Sequence, residues 1–233
     1  RLNELSNVWR NAHQNKEILS INTTPQNQDG FTIKVNYLLT DIKAKYTETY
    51  TIMNDASIKI EVALNELNKL PELPRFGMRM EVYQEADYKY YGRGPYENYS
   101  DRNSASFVGI YDKAEVDKYH VNYIRPQENG YKTDVRWIEI TNKTSGVGLS
   151  IKGLQPLGFS YLPYLSEDLD PGLTKKNQHP NDVPLKKFNV VHIDLKQRGV
   201  GGDNSWGALP HQPYLLKDSN YAYGYIIKAI NTP

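Results

Sequence analysis

The stretch Phe31-Thr32-Ile33-Lys34-Val35-Asn36-Tyr37 decides the fold class, because apolar and polar residues alternate along it without a break. Such alternation places successive side chains on opposite faces of a β-strand. The runs from Lys45 to Met53 and from Ser57 to Leu67 alternate in the same way, and the short turn Asn54-Asp55-Ala56 joins them. Strands with short connections and one apolar face each predict an antiparallel meander.

Seven further stretches along the chain are also predicted as strands. They cover Lys16 to Asn22, Met78 to Tyr83, Tyr88 to Gly92, Asp134 to Asn142, Gly146 to Lys152, Phe188 to Leu195 and Tyr221 to Ile230. Leu2 to Ala12 instead carries apolar residues at helical spacing and predicts a short amphipathic helix, and Lys113 to His120 predicts a helical turn. About a dozen strands without β–α alternation predict an all-β fold, a large antiparallel β-sandwich with a short N-terminal helix. We expect residues 1–233 to form a single domain.

The composition excludes several classes of protein. The 233 residues are 39% hydrophobic and 24% charged, as is usual for a globular chain, and the net charge of +1 predicts no nucleic-acid or membrane partner. No cysteine is present, which excludes disulfides and thiolate metal sites and leaves the cytoplasm and the periplasm both open. Because the sequence begins with Arg1, we expect it to be a piece of a longer polypeptide.

The densest glycine cluster is Gly199-Val200-Gly201-Gly202-Asp203-Asn204-Ser205-Trp206-Gly207. A β-branched strand precedes it, and Pro210 and Pro213 follow, so no helix begins there. The pattern predicts a strand that ends in a rigid turn and displays the ring of Trp206. The competing interpretation is an ordinary turn or bulge with Trp206 in the core. A phosphate cradle is excluded, because neither its motif nor the helix it needs is present.

No set of residues forms a recognisable catalytic site. Glycoside hydrolysis needs two carboxylates at a defined separation, and a sugar epimerase on such a fold would need a histidine acid and a carboxylate base in one cleft. Acidic candidates lie in several loops, but loop acids more often fix turns. The candidates are Glu97, Asp101, Glu128, Glu167, Asp168 and Asp203 among the acids, and His120, His179 and His192 among the histidines. Their spacing assigns no roles.

Four segments together carry a family resemblance. They are Leu73-Pro74-Arg75-Phe76-Gly77, Gly92-Arg93-Gly94-Pro95-Tyr96-Glu97-Asn98-Tyr99-Ser100-Asp101-Arg102, Pro126-Gln127-Glu128-Asn129-Gly130 and Gly199 through Gly207, in this order. With them the chain resembles the C-terminal domain of a lac-type β-galactosidase of glycoside hydrolase family two. The resemblance spans nearly the whole chain. It implies a β-sandwich of the supersandwich type, which is galactose mutarotase-like.

The resemblance also implies a function. The parent enzyme would hydrolyse terminal β-D-galactosides with retention, and its catalytic glutamates would lie in a (β/α)8 barrel that this chain lacks. This chain would hold no catalytic residue and no cofactor; the barrel would supply the main ligands of a Mg²⁺ ion, with Na⁺ as a second candidate ion. Trp206 would contact the β-galactoside substrate, and Gly201, Gly202, Asp203 and Asn204 would support its loop. The partners would be the other domains of the parent polypeptide, and the chain alone would be inactive.

Two alternatives stay open beside the accessory domain. A stand-alone carbohydrate-binding module would bind sugar in isolation through its tyrosine and tryptophan surface. A mutarotase-like sugar epimerase of the same fold would turn over free galactose. An accessory domain would bind sugar only weakly on its own, because most of the site would lie elsewhere.

Overall fold

A computed structural model describes residues 6–27, 30–170, 179–204 and 206–231. Within these ranges the chain forms eleven β-strands and one short α-helix. The strands are β1 (Lys16–Asn27), β2 (Gly30–Leu39), β3 (Ala44–Ile52), β4 (Ile58–Asn65), β5 (Arg75–Tyr83), β6 (Ala86–Gly94), β7 (Phe107–Asp112), β8 (Lys132–Asn142), β9 (Val147–Leu162), β10 (Phe188–Gln197) and β11 (Tyr221–Asn231), and the helix is α1 (Lys113–Asp117). Single 3₁₀ turns lie at Asn7–Trp9, Ser166–Leu169, Pro180–Asp182 and Gln212–Tyr214.

The predicted meander is confirmed. Strands β1 to β4 follow one another as antiparallel neighbours. Phe31 of β2 pairs with Ile52 of β3, and the register continues without a shift to the pair formed by Leu39 and Ala44. The alternating pattern of Phe31 to Tyr37 thus fixes both the strand and the face that it turns inward.

Strand β9 divides the molecule into two layers. Its first half pairs with β11, and its last residues, from Gly158 to Leu162, pair with β10, which in turn pairs with β5. Between the halves stands Pro156, which has no backbone N–H to donate. There the Gln155 side chain takes over the pairing with β11, as its Nε2 donates to the Gly224 carbonyl at 3.1 Å and its Oε1 accepts from the Gly224 N–H at 3.2 Å.

Tyrosines fill the space between the layers. Tyr223 of β11 packs edge-on against Phe76 of β5, with ring centroids 5.5 Å apart, and its hydroxyl donates to the Ile193 carbonyl of β10 at 2.8 Å. Tyr88 of β6 packs in the same way against Phe159 of β9 at 5.4 Å. Tyrosine fits here because its hydroxyl finds a backbone acceptor while its ring is buried. The antiparallel β-sandwich is confirmed, and buried tyrosines form part of its core.

The predicted N-terminal helix is wrong where the structure describes it. Its first residues, Arg1 to Leu5, lie outside the described residues, and the remainder forms only the 3₁₀ turn Asn7–Trp9. Ser6 makes no side-chain cap to that turn. Trp9 instead packs on the core and donates its Nε1 to the Pro71 carbonyl at 3.3 Å, so tertiary contact outweighs the weak local pattern.

The other predictions of local structure are confirmed in part. The helical turn after Lys113 is confirmed as α1, whose first turn is capped by the Asp112 carboxylate. Strand β7 was not predicted, because Gly109 interrupts its pattern. The second half of β9 was not predicted either, because Pro156 and Gly158 interrupt the pattern there. The polar stretch from Thr174 to Val183 predicts a loop; its residues up to 178 lie outside the described residues, and in the remainder Pro180–Asp182 forms a 3₁₀ turn. No helix in the described ranges has the length and apolar character to cross a bilayer.

Candidate functional site

Trp206 is displayed, as predicted. Its side chain stands at the end of the segment that follows β10, and the residue is 94% exposed. The base of this segment is tied down where the Arg198 N–H donates to the Pro74 carbonyl at 3.0 Å and the Gly199 N–H donates to the Tyr214 carbonyl at 2.8 Å. A tryptophan normally buries its large apolar area. An almost fully exposed indole on an anchored segment therefore indicates contact with a ligand or a partner.

The glycines of this segment, the Trp206 loop (199–204 and 206–207), differ in what they require. A Cβ at Gly202 would overlap the carbonyl oxygen of Ala208, so only glycine fits there. A Cβ at Gly201 would lie 3.5 Å from Oδ2 of Asp101, which is an ordinary contact. Of the two glycines, only Gly202 therefore lies directly against another part of the backbone.

Asp203 and Asn204 both brace the loop. Nε2 of His211 lies 2.8 Å from Oδ1 of Asp203, and the backbone N–H of Trp206 donates to Oδ1 of Asn204 at 2.8 Å. The second bond closes a turn immediately before the indole. Ser205, between them, lies outside the described residues. The support of a substrate site by Gly201, Gly202, Asp203 and Asn204 stays a prediction.

Beneath the surface, two of the four quoted segments and strand β10 meet through Arg75. Its guanidinium forms an ion pair with Glu128, lies with Nε 3.1 Å from Oδ2 of Asp194, and donates to Oε1 of Gln197 at 2.8 Å. It also lies 5.6 Å from the ring centroid of Tyr131. We call Arg75, Glu128 and Asp194 the buried charge cluster. One cation is shared between two carboxylates in the interior.

The pKa values of the cluster reflect its burial. Asp194 is completely buried, which raises the pKa of its carboxyl to about 7; the Arg75 charge opposes this rise and Glu128 adds to it. Burial also raises the pKa of Glu128, against the opposing charge of Arg75. Burial works against the charge of Arg75, but the carboxylates of Glu128 and Asp194 outweigh it and raise the pKa of the guanidinium. The cluster holds distant segments together, since neither of its two carboxylates is open to a substrate: the Glu128 side chain is 12% exposed and that of Asp194 is 0% exposed.

A second group of side chains fixes the loop that follows β6. Glu97 accepts from Arg102 at 2.6 Å and from the Gly130 N–H at 2.9 Å, and it also accepts from the Tyr123 hydroxyl. The neighbouring Asn98 is completely buried and accepts from the backbone N–H of Thr133 at 2.9 Å. The polar residues of the second conspicuous segment therefore hold one another and β8.

Asp101, in this same loop, reaches the Trp206 loop. Its Oδ2 accepts from the Gly201 N–H at 2.8 Å. A Cβ at Gly199 would lie 2.5 Å from the same oxygen, so the carboxylate fits directly against the glycine backbone. Sequence reasoning named Asp101 only as a possible acid, and its quoted motif was the signal that it mattered.

The other candidate acids and the histidines do not assemble a catalytic pair among the described residues. Glu167 pairs with Arg79 and Asp168 with Lys186. The histidines have separate partners: His192 is buried beside Ser160, His120 bonds Asn122, and the backbone N–H of His179 donates to Asp182. Burial, with the charges of Arg75 and Arg79, lowers the pKa of His192 well below its usual value. A neutral histidine inside the sandwich contacts no substrate.

Comparison with known proteins identifies the family. The model of the family described as beta galactosidase small chain matches residues 2–227. The chain belongs to this family. A beta-galactosidase of Priestia megaterium is 35% identical over 99% of this chain, and one of Pseudoalteromonas haloplanktis is 31% identical over 88%. A beta-galactosidase of Vibrio cholerae is 34% identical over 75%.

The chain spans only about a fifth of the length of these relatives, namely 22%, 19% and 16%. Among solved structures, a GalM/aldose epimerase homologue from C. elegans aligns with 91% of this chain and 69% of its own length. Its TM-score of 0.44 and its sequence identity of 12% are too low to argue from.

Proposed function

We propose that this chain is the accessory C-terminal domain of a β-galactosidase that hydrolyses terminal β-D-galactosides with retention. Family membership and the beta-galactosidase relatives support this proposal. Retention requires two carboxylates about 5–5.5 Å apart, and these glutamates would belong to a barrel domain elsewhere in the parent. This domain shapes the mouth of the active site.

The exposed indole of Trp206 is the observation that carries the proposal. A sugar presents a flat patch of C–H groups, and an indole face matches that patch in shape and polarity. Covering the patch contributes ~1–2 kcal/mol, hence about tenfold in affinity. The ring is held in place before substrate arrives, which lowers the entropy cost of binding.

A competing role for Trp206 is contact with a neighbouring domain of the parent. A docking indole would also be exposed in this chain alone, and its removal would weaken assembly. A sugar-contact indole affects the KM for the galactoside and leaves assembly intact. The two roles therefore separate in one variant of the complete enzyme.

We propose that the metal ions of the parent, Mg²⁺ with Na⁺ as a second candidate ion, are bound mainly by the barrel. Among the described residues, no three acidic or histidine side chains form a group that could hold a metal. The acids beside the Trp206 loop already have partners, since Asp101 accepts from Gly201 and Asp203 contacts His211. The described residues therefore do not fit a metal centre of their own.

The direct test uses the purified chain. We expect it to fold, to leave a chromogenic aryl β-galactoside unhydrolysed, and to bind galactose too weakly to saturate at millimolar concentration. Tight binding to the isolated chain would favour a stand-alone module, and interconversion of galactose anomers would favour an epimerase. Hydrolysis abolished by changing one of the chain's own carboxylates would overturn the proposal.

A further inference from the structure

We infer that Asp101 is the positioning residue for Trp206, and that it sets the substrate affinity of the complete enzyme through the Trp206 loop. This inference rests on the proposed sugar contact of Trp206. Asp101 touches no sugar in this account. It holds the backbone that carries the indole.

The first step is the contact itself. The Oδ2 atom of Asp101 accepts from the Gly201 N–H at 2.8 Å, and the Gly199 backbone lies close against the same carboxylate. Among the described residues, no other side chain from outside residues 198–214 makes a hydrogen bond to the backbone of this loop. A carboxylate bonded to a backbone N–H makes one of the stronger hydrogen bonds in proteins.

The second step is the rigidity of the support. Asp101 lies between Tyr99 and Arg102, which are joined by two backbone hydrogen bonds of 3.1 and 2.8 Å. The Tyr99 ring is buried and stacks on Tyr131 with centroids 5.8 Å apart, and Arg102 pairs with Glu97 at 2.6 Å. The carboxylate is therefore presented by a turn that is itself anchored in the core.

The third step is the consequence for binding. The Trp206 loop has close backbone packing at Gly202, but among the described residues it is tethered to the rest of the domain only at its base and at Asp101. An untethered loop would have to be ordered when substrate binds, and that entropy cost would weaken binding. Loss of the tether should therefore raise KM, with little change in kcat.

The test is a double-mutant cycle in the complete enzyme, with a chromogenic aryl β-galactoside as substrate. Asp101→Ala should raise KM several-fold and leave kcat nearly unchanged. Asp101→Asn keeps an acceptor oxygen and should restore most of the affinity. In the Trp206→Ala background, Asp101→Ala should have no further effect, because it acts only through the indole.

A matched control is Asp112→Ala. Asp112 also accepts a backbone N–H at 2.8 Å, but it caps α1, so this variant should change stability without changing KM. If Asp101→Ala reduces the yield of folded enzyme, Gly199→Ala is the second variant to measure. It disturbs the same contact from the loop side, because its Cβ would push on the Asp101 carboxylate. It should raise KM in the same Trp206-dependent way.

The outcomes separate the inference from the proposed function. If Trp206→Ala leaves KM unchanged, the proposed sugar contact fails, and the inference fails with it. If Trp206→Ala raises KM while Asp101→Ala and Gly199→Ala do not, the inference alone is overturned. An effect of Asp101→Ala that persists in the Trp206→Ala background would likewise overturn it.

Discussion

The buried charge cluster and the Trp206 loop reverse the usual distribution of residue types. The cluster places Arg75, Glu128 and Asp194 inside the sandwich, whereas the loop places an indole in solvent. Burying charges costs free energy unless they are paired, and exposing an indole gives up its burial. The first arrangement joins distant segments, and we propose that the second serves an external contact. Residues from equally conspicuous segments therefore have unrelated roles.

The sharpest test of the cluster is Arg75→Ala. It leaves the Glu128 and Asp194 carboxylates buried without a cation, which should lower the free energy of unfolding by ~3–5 kcal/mol. Chemical denaturation of the purified chain measures the loss.

Arg79→Ala is the matched control on the same strand. The Arg79–Glu167 pair is solvent-exposed, so its loss should cost less than ~1 kcal/mol. Equal losses in the two variants would show that the buried pair is no more important than the surface one.

The cluster should also give the domain a pH dependence. The folded-state pKa of Asp194 is raised from its ordinary value to about 7, so its proton favours folding. That contribution is complete below about pH 4, the unfolded pKa, and is lost as the pH rises through 7. The free energy of unfolding of the wild type should therefore fall as the pH rises from 4 to 7. Asp194→Asn removes this titration and should make that fall smaller by ~1–3 kcal/mol.

Asp55→Asn provides a control of opposite sign. The bond from Lys228, together with bonds from Ser57, lowers the pKa of the exposed Asp55 carboxyl. Its contribution is present above the unfolded pKa and is lost on acidification below it. If the free energy of unfolding of Asp194→Asn varies with pH as that of the wild type does, the buried carboxyl does not take up a proton between pH 4 and 7.

A smaller, local effect is expected from Gly202→Val. The new side chain would overlap the Ala208 carbonyl and displace the Trp206 loop, while the sandwich stays folded. Amide hydrogen exchange at Gly201 should accelerate, with β5 and β10 unchanged. Gly201→Ala is the paired control, because its Cβ makes only an ordinary contact. Exchange that is unchanged in the Gly202 variant would show that the loop is not held by this packing.

The sequence could predict the loop better than the cluster. Glycines crowded before Trp206, with prolines after it, form a local pattern that predicts a displayed ring. Arg75 and Glu128 are 53 residues apart in sequence, and no local pattern indicates that two such residues pair. The motif segments were recognisable, but their convergence depends on long-range contacts: β5 pairs with β10, and Arg75 of β5 reaches Glu128.

The fold shows the same contrast. Strict alternation predicted β2 to β4, whose pairing is local and regular. The second half of β9 was missed because Pro156 and Gly158 are breakers in isolation, although here they mark the passage from one layer to the other. The weak apolar spacing before Ala12 predicted a helix, and the docking of Trp9 on the core prevailed over it.

The central claim is that Trp206 serves binding and not folding, and Trp206→Ala tests it most directly. Thermal melting of the purified chain should be unchanged, because the side chain is 94% exposed. In the complete enzyme, KM for an aryl β-galactoside should rise about tenfold, with assembly by size-exclusion chromatography intact. A core tryptophan would instead cost ~3–5 kcal/mol of stability. A large fall in melting temperature, or an unchanged KM, would contradict the account.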